Sequence, residues 1–279
     1  MRKERDAELD SAALHGMIGI CENRSDENAR QTLLFNYLTV SCVISGKETC
    51  NHRGGRAFMK KLIVIEGLDG SGKATQAALL ADHLRAACKS GGNDSVRQIS
   101  FPDYQSDSSA LVKMYLAGQF GSNPGDVNAY AASSFYAVDR YASYKKDWGA
   151  FYESGGVVIA DRYTTSNAIH QCSKLPPEQW DEFLKWLFHY EYELLGIPAP
   201  DEVIYLQVEP ELSQKLMTER YHGDESKKDI HEQNLDYLAS SRRAAEYCAA
   251  KLGWKIVHCT VAGTMRPIED IQREIQSLI

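Results

Sequence analysis

Residues 66–76 read EGLDGSGKATQ, and their spacing suits the capture of phosphate. Gly67, Gly70, Ser71 and Gly72 permit a tight path that turns successive backbone N–H groups toward anionic oxygens. Lys73 extends a mobile cation, and a helix N-terminus behind it adds a favourable field. The run Gly67 to Lys73 has the G-x-x-x-x-G-K spacing, set between an apolar strand pattern and a helix pattern. It predicts a nucleotide-phosphate cradle built from Gly67, Gly70, Ser71, Gly72, Lys73, Ala74 and Thr75. Ala74 stands where a hydroxyl residue usually reaches a magnesium ion. Thr75 points roughly 100° further round the helix. Magnesium would then rest on phosphates, water and a carboxylate. Asp161, at the end of the apolar run VVIAD, is the natural candidate, because ligands of open α/β sheets collect at the carboxyl ends of strands.

Two acidic–basic–aromatic triplets follow, Asp139-Arg140-Tyr141 and Asp161-Arg162-Tyr163. A planar guanidinium grips phosphate oxygens in pairs, so Arg140 and Arg162 are candidates for a second anionic group beyond the reach of Lys73. Residues 219–229, ERYHGDESKKD, contain Arg220, Lys227 and Lys228 beside Gly223. This segment, about 220–230, predicts a lid that closes over phosphate and excludes water. A solvated loop is the simpler alternative, since the segment also carries Asp224, Glu225 and Asp229. His222 and His231 lie near it without convincing ligand geometry, and neither is assigned a metal.

The elements that must position these groups alternate. Apolar strand runs are expected at Lys61–Glu66, Val96–Ser100, Val157–Asp161, Val203–Val208 and Trp254–Cys259. Helices are expected over Ala74–Lys89, Ser109–Gln119, Tyr130–Glu153, Pro177–Leu195, Glu211–Glu219, Ile230–Leu252 and Pro267–Leu278. Continuous apolar strands separated by helical crossovers predict a three-layer, doubly wound α/β sandwich around a five-stranded parallel sheet. Residues 1–58 stand apart: they carry no recognisable site and are too short to bury much. A domain is expected to start at Met59, with 1–58 as a docking appendage, a flexible tail or sequence upstream of the true start.

Composition bounds the function. The chain has 279 residues, with 31 Lys and Arg against 38 Asp and Glu, a formal charge of −7. No global basic footprint for a nucleic-acid polymer exists. No run approaches the ~20 apolar residues needed to cross a bilayer. Seven cysteines at irregular spacings read as reduced thiols of a cytoplasmic protein. Cys42, Cys50 and His52 lie close together but lack a fourth partner at zinc spacing.

Taken in order, IEGLDGSGKATQ, FPDY at 101–104, SSFYAVDRYAS at 133–143, IADRYTTSNAIHQ at 159–171, and YLQVEP leading to MTERYHG resemble the thymidylate kinase family of P-loop nucleoside monophosphate kinases. The resemblance spans roughly residues 60–279. It implies ATP as phosphoryl donor with Mg2+, dTMP as acceptor, and a homodimer. By motif it implies that Lys73 meets the donor phosphates and Asp69 the acceptor sugar hydroxyl. Phe101 and Tyr136 would line the acceptor site, with Tyr136 stacking on the base. Arg140 would approach the base and phosphate, Arg162 the acceptor phosphate, and Ser166 and Gln171 the base. The P-loop interior carries no extra cation, which implies that Arg220, Lys227 and Lys228 in the lid supply it.

The chain departs from that family at Ala74 and at FPDY, where Asp103 and Tyr104 follow a pair that relatives generally continue with arginine. Two alternatives remain open from the sequence. One is a deoxynucleoside kinase acting on a 5′-hydroxyl with Glu66 as base. The other is a weakened, nucleotide-sensing protein.

Overall fold

The computed structural model describes residues 60–87, 95–209, 212, 213, 215, 216, 218, 229–232 and 234–279. Residues 1–58, Arg220, Lys227 and Lys228 therefore lie outside the described residues, as do His222, Cys42, Cys50 and His52.

The apolar run Leu62–Ile65 lies in β1 (Lys61–Gly67), and all four side chains are at most 1% exposed. Alternate residues of a strand face opposite sides, so a run this apolar must be covered twice. Leu62 and Val64 pack with one hydrophobic cluster, Ile63 and Ile65 with another. Helix α1 (Lys73–Ala87) covers the second cluster by burying Ala77, Leu80 and Ala81, one helical face. Then come β2 (Val96–Ser100), α2 (Ala110–Leu116), α3 (Ala129–Ser143), α4 (Gly149–Glu153), β3 (Val157–Asp161), α5 (Thr164–Cys172) and α6 (Trp180–Phe188). The chain continues through β4 (Glu202–Gln207), α7 (Leu235–Leu252), β5 (Lys255–His258), a small hairpin of β6 (Thr260–Val261) and β7 (Thr264–Met265), and α8 (Ile268–Ser277). Helices α5, α6 and α7 contribute to the first cluster, α1 and α8 to the second.

The sheet order is β2-β3-β1-β4-β5, and every pairing in it is parallel. This is the expected three-layer, doubly wound architecture. Strand β1 is central, with β3 on one side and β4 on the other, so the connections reverse direction there. Register brings the strand ends level: Ile65 pairs with Asp161, and Ser100 also pairs with Asp161. The turns after β1, β2 and β3 thus converge at the switch point, where such folds place ligands.

Several elements differ from the sequence reading, each for a local reason. Helix α5 was not expected. Eight of its nine residues are buried, so no polar face marks a helical period. The long helix expected over Tyr130–Glu153 is interrupted by a π-helical turn at Tyr144–Trp148, and that after Pro177 by another at His189–Leu194. At the first, a Cβ on Gly149 would lie 2.4 Å from the Tyr144 carbonyl oxygen. Helix α7 begins at Leu235 rather than Ile230. Asn234 caps it by accepting from the Tyr237 N–H, while Asp229 accepts from the N–H groups of His231 and Glu232 in a turn. It stops at Gly253, whose φ of 68° only glycine adopts readily. The helix expected at 211–219 falls partly outside the described residues. No helix among the described residues is long and apolar enough to cross a membrane.

The approach of β1 to β4 leaves no room at Gly67. A Cβ there would lie 2.5 Å from Ser71 Oγ and 2.9 Å from the Leu206 carbonyl oxygen. Gly67→Ala is expected to destabilise the protein by about 1–3 kcal/mol through this overpacking, read as a lowered denaturation midpoint. An unchanged midpoint would show that the turn yields freely.

Candidate functional site

At the carboxyl ends of β1, β2 and β3 lies a cavity of about 510 Å³. The turn after β1 contributes Asp69, Gly70, Gly72, Lys73, Ala74 and Thr75 to its lining. Of the expected cradle, Gly67 and Ser71 sit behind this surface. Ser71 Oγ is buried without a hydrogen-bond partner. Both Ala74 and Thr75 reach the cavity, so the hydroxyl missing at one position is present at the next. Lys73 Nζ donates to the Leu68 carbonyl oxygen at 2.8 Å and lies 4.0 Å from Asp69 Oδ1. Burial lowers its pKa to about 8, helped by Arg162 and opposed by Asp69, Asp161 and Glu66.

Arg162 occupies the centre. Its φ of 67° is left-handed, a conformation that costs a non-glycine residue about 1–2 kcal/mol. Its N–H donates to the Ile65 carbonyl oxygen, tying the turn after β3 to β1. The guanidinium donates to Asp69 and to Ser166 Oγ at 3.3 Å, and lies 3.7 Å from Glu66 Oε1. Burial would raise the Asp69 pKa, but Arg162 and Lys73 outweigh it and hold the carboxyl well below the usual range. Glu66 is fully buried and accepts from Thr165 Oγ1, Ser166 Oγ and the Gly67 N–H. It does not line the cavity.

The other expected residues separate into two groups. Phe101, Tyr136, Arg140, Asp161, Ser166 and Gln171 all line the same cavity. Gln171 is wholly buried, and neither its amide oxygen nor its nitrogen has a partner. Such a group waits for a ligand or water, since an unpaired buried amide is costly. Arg140 is 1% exposed and pairs through two nitrogens with Glu191, at 2.7 and 2.5 Å. Removing one partner of such a pair costs about 3–5 kcal/mol. Asp139 accepts from the Asp103 N–H and from Ser108 Oγ, so the Asp139-Arg140-Tyr141 triplet also anchors the FPDY turn. The lid residues Arg220, Lys227 and Lys228 fall outside the described residues.

Asp161 Oδ1 is buried with no hydrogen-bond partner. A bare carboxylate oxygen beside a phosphate cradle fits a hard cation such as Mg2+, which prefers a few protein oxygens plus phosphate and water. Among the described residues no group of three or more His, Cys, Asp or Glu could hold a metal unaided.

Sequence reasoning missed the imidazoles. His170 and His231 both line the cavity and stack with ring centroids 5.8 Å apart. His170 Nε2 lies 3.3 Å from Arg162 Nη1, which only donates, so this nitrogen accepts. Tyr115 Oη lies 2.8 Å from His231 Nε2 and accepts from Lys174 Nζ at 2.8 Å. His170 lay inside the quoted IADRYTTSNAIHQ run, but only folding brings His231 to it.

Burial, with Arg162 beside it, lowers the His170 pKa to about 3, and burial holds that of His231 well below its usual value. Burial raises Asp229 to about 6. Below the ordinary histidine pKa of about 6.5, the unfolded chain takes up protons that the folded imidazoles refuse, so these groups make stability fall as pH falls. Asp229 works the other way, because the fold protonates it first. Its contribution cancels when wild type is compared with His170→Gln. Between about pH 6 and 4 the wild type is expected to lose about 1.4 kcal/mol per pH unit relative to that variant. Denaturant unfolding at about pH 7, 6 and 5 measures this. A constant difference would mean that His170 is protonated in the fold.

The thymidylate kinase family model matches residues 65–275. Over 196 residues the chain is 32% identical to the thymidylate kinase of Mycobacterium tuberculosis, covering 69% of this chain and 87% of that protein. It is 31% identical over 158 residues to the Caenorhabditis elegans thymidylate kinase, 54% of this chain and 65% of that one. The solved thymidylate kinase of Candida albicans superposes with a TM-score of 0.58 at 21% identity, covering 79% of this chain and 91% of that one. The Ehrlichia chaffeensis thymidylate kinase gives 0.54 at 16% identity, covering 79% and 98%. At these identities the two structures speak for the fold, a P-loop nucleoside monophosphate kinase. Because the family match spans most of the chain and its bounds enclose every residue lining the cavity, from Asp69 to Glu232, the chain belongs to the thymidylate kinase family of phosphotransferases.

Proposed function

We propose that this protein transfers the γ-phosphoryl group of ATP to a deoxynucleoside monophosphate, with dTMP as the acceptor. The observation that carries this reading is the pairing of two cations in one cavity, Lys73 from the cradle and Arg162 from the turn after β3. Two phosphate chains must meet there, and each brings negative charge that a separate cation has to offset.

In this reading the cradle N–H groups and Lys73 hold the donor. Arg162 exchanges part of its contact with Asp69 for the acceptor phosphate, which frees Asp69 for the sugar hydroxyl. The attacking phosphate oxygen is already anionic, so no general base is required, and catalysis rests on alignment and charge. Mg2+, when bound through Asp161 with Thr75 nearby, neutralises charge on the donor phosphates. Tyr136 and Phe101 take the base side, with Ser166 and Gln171. Arg220, Lys227 and Lys228 belong to a lid that closes over the transfer, residues 1–58 to an extension outside the catalytic domain, and the assembly to a homodimer.

A deoxynucleoside kinase is less well supported. It needs a carboxylate near a neutral 5′-hydroxyl, and its sequence candidate, Glu66, is surrounded by donors and lies off the cavity surface.

Lys73→Ala is expected to damage turnover with every acceptor. Arg162→Ala is expected to weaken dTMP use by about 1.5–3 kcal/mol, the scale of a charge-assisted contact, with ATP affinity little changed. Calorimetric affinities beside coupled turnover assays separate the two, and intact dTMP affinity in Arg162→Ala would remove its assigned role. Ala74→Ser should tighten the apparent use of limiting Mg2+ by about 1 kcal/mol. Unchanged metal dependence would mean that Asp161 and Thr75 already complete the site.

A further inference from the structure

Glu191 lies outside every sequence motif, in the π-helical turn that follows α6, and is wholly buried. Its Oε1 accepts from Arg140 Nη2 and from Asn167 Nδ2, at 2.5 and 3.2 Å. Its Oε2 accepts from Arg140 Nε and from Thr164 Oγ1, each at 2.7 Å. One carboxylate therefore joins α3 to α5 at the wall of the cavity, which Arg140 and Asn167 both line.

The consequence lies in the Asn167 amide. Its Nδ2 also donates to the Ser133 carbonyl oxygen at 3.1 Å, so both amide hydrogens are engaged. A carbonyl and a carboxylate accept only, so turning the amide over would set oxygen against two oxygens. Asn167 thus has a fixed orientation and keeps only its Oδ1, an acceptor, for a ligand. On Arg140, Nε and Nη2 are held by Glu191, while Nη1 has only the Tyr163 carbonyl oxygen at 3.4 Å and remains a donor. Gln171 differs: with both amide atoms unpartnered, it can turn to suit either partner.

We propose that Glu191 is a positioning residue that sets base selectivity, by fixing an acceptor on Asn167 and a donor on Arg140. Resting on the monophosphate-kinase reading above, this pair complements a pyrimidine whose ring N–H adjoins a carbonyl, as in thymine or uracil. It opposes cytosine, which offers a ring lone pair beside an amino group. The freely turning Gln171 cannot discriminate between them. Selectivity therefore resides in the groups that Glu191 immobilises.

The test compares dTMP with dCMP, by calorimetric affinity and by kcat/KM, in wild type, Glu191→Gln and Asn167→Leu. Glutamine at 191 keeps one oxygen and sets an NH2 either against Arg140 Nε or against Arg140 Nη2 and the Asn167 nitrogen, so in each orientation at least one of the two fixed groups loses an acceptor and is released. The preference for dTMP is expected to fall at least about tenfold. Asn167→Leu removes the fixed acceptor while leaving Glu191 intact and should lose preference similarly. A merely structural role would weaken both nucleotides together, and an unchanged ratio in a folded Glu191→Gln protein overturns the proposal. Should Glu191→Gln fail to unfold cooperatively, Asn167→Leu decides alone, and an unchanged ratio there overturns it equally. Wild type that binds neither nucleotide overturns the underlying reading and this proposal with it. Wild type that prefers dTMP, with unchanged ratios in the variants, overturns only the part given to Glu191.

Discussion

The guanidinium of Arg162 is held between the Asp69 and Glu66 carboxylates at the carboxyl end of the central strand, and the site is organised around that cluster. Charges out of water must be paired, and the pairing dictates where the surrounding backbone can go. The Arg162 backbone adopts a left-handed conformation to bring its side chain there, and its N–H bonds back to β1. Glu66, behind the cluster, is held by two hydroxyls at the start of α5 and by a backbone N–H of the turn itself. The turns after β1 and β3, which would otherwise move independently, are thereby fixed to one another. Phosphate brought into the cavity meets cations whose positions are already determined, which is the condition for electrostatic stabilisation without reorganisation.

A second buried pair, Arg140 with Glu191, does the same work for the inner wall. Burial alone acts against the charge of Arg140, but Glu191 outweighs it and raises the pKa above its ordinary value. The two clusters divide the cavity by chemistry. Around Arg162 the balance of charge can change when phosphate arrives, since Asp69 is replaceable as a partner. Around Glu191 the hydrogen bonds are saturated, so that wall presents fixed donors and acceptors. Mobile charge suits a group that is transferred, whereas fixed polarity suits a group that is recognised.

The imidazoles link these regions. His170 accepts from Arg162 and stacks on His231, which is held through Tyr115 to Lys174. Burial lowers the Lys174 pKa to about 7. Positive charge is thus reduced on His170, His231 and Lys174, while Arg162 beside them keeps its charge.

The sequence by itself determined the sheet, the cradle and the order of the motifs. Apolar runs such as Leu62–Ile65 must be covered on both faces, and Gly67 to Lys73 has few uses other than binding phosphate. Those signals are local, carried by neighbours along the chain. Helix α5 was not legible because burial on nearly every side erased its period, although its residues had already been singled out as a motif. Glu191 was invisible for a different reason. A glutamate in HYEYEL reads as solvated, and only the π-helical turn and the packing of α3 against α5 bring four donors to it. His231 likewise gains its neighbours only through folding. Tertiary structure decided which polar groups are already satisfied and which remain free for a ligand, because hydrogen-bond partners distant in sequence become neighbours only when the layers pack.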